Sequence, residues 1–440
     1  MELRPEQEQH AGQDASLWRD PSAWFAGKKL SRGYWVFFTA AFFYDAGLSI
    51  YVFLFNLFLL DLGFNERAMG WIGGAMTLGT LVGTLPAGAV SRRIGLRPLL
   101  IILFLTAPAL CILRTLWLWE PAQIVLAFLA GLTMSIWFVC FMPAVARLTT
   151  EKNRTTGFSL IFSVGIGTSM LGGIVCGYLR QWLRMAGILM QDVEVKRLIL
   201  ILSCGIAFAG IVPVLRLVLP APSQIDTAAL ETSGWLREWK LSPLLIRFLP
   251  AMTLWGAVVA AFTPFANVYL SRNLHIPMVR IGWIFSSVQV MQFCMGLTVP
   301  ILFRYLGLVN GIAATQIIAA VVLGCLAGAH DSRLAIILYL IFSAAQWASS
   351  PGIYNLLMSE TPDRERSNAS AMAIFGNALA GSIATAAAGV LFTRFGYPPV
   401  LIGIAALALC VALLFWFLMP QRRRTPLLSE PCGDALDSTG

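Results

Sequence analysis

Charged side chains are scarce in this sequence. Asp, Glu, Lys and Arg make up 12% of its 440 residues, about half the roughly 25% usual in soluble domains. With 58% of residues hydrophobic, that shortage excludes an ordinary water-soluble globular chain. Metal and disulfide chemistry is equally thin. The eight cysteines (Cys111, Cys140, Cys176, Cys204, Cys294, Cys325, Cys410 and Cys432) form no CxxC pair, and seven fall within apolar runs. They read as small core residues. The three histidines, His10, His275 and His330, lie outside those runs, so the metal ligands or nucleophile–base pair of an intramembrane enzyme are missing. No metal, no cofactor and no enzymatic activity are expected. No cleavable signal is expected either, because the first 33 residues are polar and the first apolar run is too long for a signal core.

What the sequence does have is a succession of apolar runs of about 20 residues, each able to cross roughly 30 Å of hydrocarbon as a helix. Lipid leaves no solvent for backbone polar groups, so runs of this length satisfy themselves as helices. Twelve are placed, at 34–60, 68–90, 97–118, 121–144, 157–180, 198–219, 244–270, 278–302, 309–329, 332–357, 369–392 and 398–419. The expected class is an all-α polytopic membrane protein. The longest polar interruption, 220–243, carries Pro220, Pro222, Asp226, Glu231, Arg237, Glu238 and Lys240 and divides two six-helix bundles, 34–219 and 244–419. The 1–33 tail, with Trp18, Trp24 and Phe25 among Arg19, Lys28, Lys29 and Arg32, suits a short interfacial helix. The 420–440 tail is expected to be disordered.

The net charge of +9 sits in short loops, which favours contact with the lipid bilayer over nucleic acid. An even number of spans puts both termini on one side, and that side holds 21 of the 31 Lys and Arg residues. The positive-inside rule then places both termini in the cytoplasm of a plasma (inner) membrane protein.

An internal repeat organises the chain. Gly70-Trp71-Ile72 recurs as Gly282-Trp283-Ile284, an offset of 212, and the same offset carries Arg92 to Arg304, Gly95 to Gly307, Arg154 to Arg366 and Gly177 to Gly389. Six spans per copy make the repeats parallel, so two similar halves face each other about an axis along the membrane normal.

With the repeat in place, the loop Gly88-Ala-Val-Ser-Arg92-Arg93-Ile-Gly95-Leu-Arg97 resembles the Gly-x-x-x-Asp-Arg-x-Gly-Arg-Arg signature of the major facilitator superfamily of secondary transporters, with a degenerate copy at Arg304-Tyr-Leu-Gly307. Arg92 stands where the family has an acid. Two other family motifs are missing: Ala127 occupies the position of the fourth-span arginine, and Thr168-Ser169 replaces Gly-Pro in the fifth span. Both losses count against a proton-driven drug exporter. The resemblance implies a monomeric carrier that works by alternating access, its halves rocking about a central site. It also implies a gate on the cytoplasmic side, where Arg92, Arg93 and Arg97 meet Glu360, Asp363 and Glu365, and Arg304 meets Glu151. The ordinary alternative is solvated loop charges worth about 0–1 kcal/mol per pair.

Asp45 is the one acid near the middle of any span. A charged carboxylate there costs about 2.5–3.5 kcal/mol, so such residues are usually functional, and this one suits proton coupling. Its repeat equivalent is Ala257. The bland reading is an acid held by backbone and hydroxyl neighbours. For a solute cavity the candidates are Ser286, Gln289 and Gln292 on one face of span 8, together with Gln346, Trp347, Asn377, Asn56, Ser135, Trp137 and Trp255. Amides beside aromatics suit a neutral polar or amphipathic solute, and interhelical hydrogen bonding is the rival explanation for each. No Lys, Arg or His is placed at mid-membrane depth, which favours a neutral or cationic solute over an anion. The expected function is therefore secondary transport of a small organic solute, coupled to protons through Asp45. The alternatives are a multidrug or metabolite exporter and a non-transporting receptor or scaffold on the same fold.

Overall fold

A computed structural model describes residues 30–418 except 151–152, 186, 188–189, 220–242 and 362–365. The expected interfacial helix, central linker and C-terminal tail therefore lie outside the described residues. So do Glu151, Asp363 and Glu365.

Twelve helices are long and apolar enough to span a membrane, and among the described residues there is no strand. In chain order they are α1 (Arg32–Asp61), α2 (Glu66–Ile94), α3 (Leu96–Leu116), α4 (Glu120–Leu148), α5 (Arg154–Met185), α6 (Asp192–Ala209), α7 (Pro243–Phe262), α8 (Met278–Leu306), α9 (Leu308–Ala327), α10 (Ser332–Glu360), α11 (Arg366–Phe395) and α12 (Tyr397–Leu418). Local chemistry starts them where polar side chains can satisfy free N–H groups. The Ser31 hydroxyl accepts from Tyr34 N at 3.1 Å, and Asn65 Oδ1 accepts from Ala68 N at 2.9 Å. Gln191 and Glu194 form a capping box on α6. Gly95 and Gly307, related by the repeat, join α2 to α3 and α8 to α9 with φ of 86° and 82°. With ψ near 160–170°, that is backbone territory only glycine occupies cheaply.

Two spans are less regular than their apolar runs suggest. The run 244–270 is an α-helix only to Phe262. It continues as a 3₁₀ turn at Thr263–Phe265, a short helical turn at Ala266–Val268 and a π turn at Tyr269–Asn273. Pro264 causes the break, since it has no N–H to donate and its ring crowds the preceding turn. Likewise α6 stops at Gly210 and resumes as the five-residue helix Ile211–Leu215 around Pro213.

Helices α1–α6 pack on one another, as do α7–α12, and the two groups meet chiefly along α2–α11 and α5–α8. The offset of 212 exchanges these two seams, because it carries α2 onto α8 and α5 onto α11. Backbones come very close there. A Cβ placed on Gly70 would lie 2.8 Å from Thr385 O and 2.9 Å from Gly389 Cα. At the other seam, a Cβ on Gly282 would collide with Gly173 O, the repeat equivalent of the first contact. Such approach lets two long helices bury each other without side chains between them.

Candidate functional site: a cleft between the two halves

The side of the membrane away from the termini is shut by contacts between the halves. At one seam the Ser382 hydroxyl donates to Gly74 O at 2.7 Å, and at the other Ser286 donates to Met170 O at 2.6 Å. Between them, Asn56 of α1 donates to Pro264 O at 2.8 Å and Asn267 donates back to Phe53 O at 3.0 Å. Arg67 N donates to Thr393 Oγ1 at 2.8 Å. At the far rim Arg272 Nη1 reaches both carboxylate oxygens of Glu66, at 2.8 and 2.9 Å, and the Tyr397 hydroxyl donates to Glu66 at 3.3 Å. Glu66 is buried, at 5% side-chain exposure against 55% for Arg272.

On the termini side the same helices part. Phe162 of α5 and Phe293 of α8 are 52% and 50% exposed, and across the other seam Ile374 and Phe375 of α11 are 50% and 48% exposed. An open cavity of about 640 Å³ is lined by Arg154, Phe158, Ser159, Phe162, Ser163 and Ile166 of α5 and by Phe293 of α8. Closed seams on one side and split seams on the other make a cleft open toward the termini.

Asp45 sits on α1 about 24 Å from its far end, at 1.5 Å per residue. It shares a helix face with Ser49 and Asn56, the face that meets α5 and, farther along, the turn after α7. A Cβ on Gly165 of α5 would lie 3.8 Å from Asp45 Oδ2, at ordinary contact distance, so the carboxyl faces α5 at this level. The group is half-buried, and among the described residues it has no hydrogen-bond or ion-pair partner. Nearby, Ser49 and Ser169 hydroxyls lie 3.0 Å apart.

The other cavity candidates separate into three groups. Gln289 and Gln292 are half-buried and carry no partner among the described residues, Gln346 accepts from the exposed Thr263 at 3.2 Å, and Trp347 is 45% exposed. These remain available to a solute. Asn56 and Ser286 instead bond backbone carbonyls of the opposite half, as described above. The rest lie inside their own halves, Ser135 and Trp137 in the first and Trp255 and Asn377 in the second. Ser135 is fully buried, donates to Leu132 O at 2.7 Å and packs against Gly83. Trp137 joins an aromatic cluster with Tyr44, Phe37, Phe104 and Phe141. Trp255 Nε1 and Asn377 Oδ1 are buried without partners among the described residues.

Only the basic part of the expected gate falls among residues whose side chains are described. Arg97 donates to Leu215 O at 2.6 Å, tying α3 to the end of α6. Arg93, Arg154 and Arg304 are exposed, and a Cβ on Gly88 would meet nothing within 4 Å. The side chains of Arg92, Glu360 and Arg366 lie outside the described residues.

Three features escape the sequence reading. The first is the far-side lock of Glu66, Arg272 and Tyr397. The second is Arg114, buried in the last turn of α3 and so outside the mid-membrane zone where no cation is expected. It is 2% exposed, with its guanidinium 4.3 Å from the Phe55 ring and 3.9 Å from Met76 Sδ and its Nε unpartnered. Among the described residues it has no carboxylate. The third is Gln316, fully buried on α9 with neither amide atom bonded among the described residues.

No curated protein matches this chain by sequence. Among solved structures, the nucleoside transporter NupG superimposes with a TM-score of 0.70 at 14% identity, over 88% of this chain and 99% of its own. A D-xylose-proton symporter gives 0.66 at 16%, over 88% and 96%. The inward open conformation of the xylose transporter XylE from E. coli gives 0.65 at 16%, over 88% and 95%. At such identities the likeness is one of fold. The sequence profile of the Major Facilitator Superfamily matches residues 37–385 and, again, 248–432. Duplicated halves, paired seams and that profile agree: this multi-pass integral membrane protein belongs to the major facilitator superfamily.

Proposed function

We propose that the chain is a proton-coupled secondary transporter of a small neutral or cationic organic solute, in the plasma (inner) membrane, with the termini and the open mouth of the cleft in the cytoplasm. The observation that carries the proposal is Asp45: an acid in the central stripe of α1, facing Gly165 of α5 and without a partner among the described residues. A carboxyl in such a place is costly to keep charged and is well suited to hold a proton on one side and release it on the other. The unpartnered amides of Gln289 and Gln292, with the Gln346–Thr263 pair and the exposed Trp347 indole, offer hydrogen bonds and an aromatic face to an uncharged solute. The excess of basic residues on the termini side supports the cytoplasmic orientation. The protein would act as a monomer, each half serving as one rocking body.

The test is reconstitution in proteoliposomes with an imposed pH gradient and a panel that includes nucleosides, pentoses and organic cations. Wild type should accumulate at least one member when the gradient is present. Asp45→Asn should lose gradient-driven accumulation while still exchanging labelled solute for unlabelled. Equal accumulation by Asp45→Asn, with the same pH dependence, would end the coupling proposal. Absence of flux for every solute under every gradient would favour the scaffold reading.

A further inference from the structure

On the termini side, α1 and the end of α6 leave a groove of about 560 Å³ between them. Its α1 residues, Trp35, Thr39 and Phe43, follow the i, i+4, i+8 spacing of one helical face. At 100° per residue, that face lies roughly a third of a turn away from the stripe of Asp45, Ser49 and Asn56. The groove therefore belongs to the outer wall of the bundle and not to the cleft.

Its floor is apolar: Trp35, Val36 and Phe43 on one side, Ala209, Val212 and Pro213 on the other. The single hydroxyl, on Thr39, is already satisfied by Trp35 O at 2.9 Å. The break at Gly210 and Pro213 produces the hollow, since a straight α6 would carry its side chains along α1. The rim is cationic. Arg32 and Arg216 line the groove at the ends of the two spans, both exposed, and neither has a hydrogen-bond or ion-pair partner among the described residues. Arg97 fixes the neighbouring carbonyl of Leu215.

Two guanidiniums on one rim repel each other unless an anion lies between them. At the end of a membrane span, above an apolar trough, the anion of matching shape is a lipid phosphate with its acyl chain below. We infer that this groove is a binding site for one anionic phospholipid, its phosphate held by Arg32 and Arg216 and its chain laid along Trp35, Phe43, Val212 and Pro213. A basic pocket between spans at headgroup level is the arrangement that such lipids recognise. Both walls belong to the same half, so rocking of the halves leaves the site intact and the lipid stays bound through the transport cycle.

Native mass spectrometry of the full chain in detergent tests this with three probes: phosphatidylglycerol, phosphatidylcholine and glycerol 3-phosphate. Phosphatidylglycerol should bind once, tighter than phosphatidylcholine by on the order of thirtyfold at low salt, as expected for two cations near the headgroup. The Arg32→Gln/Arg216→Gln variant should bind both lipids equally. Thr39→Trp, which fills the floor and leaves both cations in place, should weaken phosphatidylglycerol binding at least tenfold. Arg333→Gln, on the far side, should leave it unchanged. The inference is overturned if the double variant keeps the preference, or if Thr39→Trp binds phosphatidylglycerol like wild type. It is overturned equally if glycerol 3-phosphate displaces the lipid at comparable concentration, because the site would then read only a headgroup.

Discussion

Adding one methyl group at Gly70 should tip the protein toward its other state. A Cβ there would stand 2.8 Å from Thr385 O and 2.9 Å from Gly389 Cα, where ordinary contact begins at 3.4 Å. The helices must part by about half an ångström, and no side-chain rotation can relieve the clash, because both opposing atoms are main chain. Overpacking of this kind costs about 1–3 kcal/mol. The penalty falls only on the state in which α2 and α11 touch on the far side, so the equilibrium between the two openings moves about 5- to 150-fold toward the far-open one. The assay is a distance measurement between spin labels at the exposed far-side positions Glu120 and Arg333, one on each half, in a cysteine-free background reconstituted in nanodiscs. Gly70→Ala should populate a longer distance that is scarce in the parent. Gly282→Ala should do the same at the opposite seam, and the pair should approach additivity because the seams share no partner. Gly205→Ala and Gly403→Ala, where a Cβ meets nothing within 4 Å, are the controls. An unchanged far-side distance in Gly70→Ala, or an equal change in either control, would refute the reasoning.

Three further outcomes follow from the same geometry. Arg272→Gln should open the far side more than Glu66→Gln does, because it strands a buried carboxylate, whereas the reverse change strands a solvated guanidinium; equal effects by the same distance measurement would argue against a buried lock. Arg114→Met should leave the melting temperature in detergent unchanged or raised, since no carboxylate loses its counter-charge and the desolvation cost of a buried cation is removed; a fall of many degrees would show that the guanidinium has a partner of consequence. Gln316→Leu should raise the same melting temperature, because an amide buried with neither atom bonded costs about 1–3 kcal/mol; a lowered value would reveal a bound water or other partner there.

The architecture was legible because the bilayer constrains it so strongly. Spans must be long and apolar, and a seam between close-packed backbones must be lined with glycine, which is why Gly70 and Gly282 survive as matching marks in both halves. The site was legible only in part. Helical spacing shows which residues share a face, but not what stands opposite that face. Asn56 and Ser286 have the same polar character as Gln289, yet they close the interface between halves, a distinction made by packing across 208 and 116 residues of sequence. Glu66 and Arg272 read as unrelated charges at two span ends until the fold brings them together. Arg114 shows a different limit, since position in the chain sets the depth of its backbone but not the direction a long side chain takes. Pro264 was visible throughout; that it ends a helix inside an unbroken apolar run was not.

The two seam hydroxyls have one further consequence. Ser286 and Gly74 are repeat equivalents, as are Ser382 and Met170, so each seam keeps the same bond with the donor on the opposite partner. Its acceptor is always a peptide oxygen, which every residue supplies. A serine gained on either helix can therefore replace one lost from the other, and duplicated genes can diverge at these positions without ever passing through an unlatched ancestor.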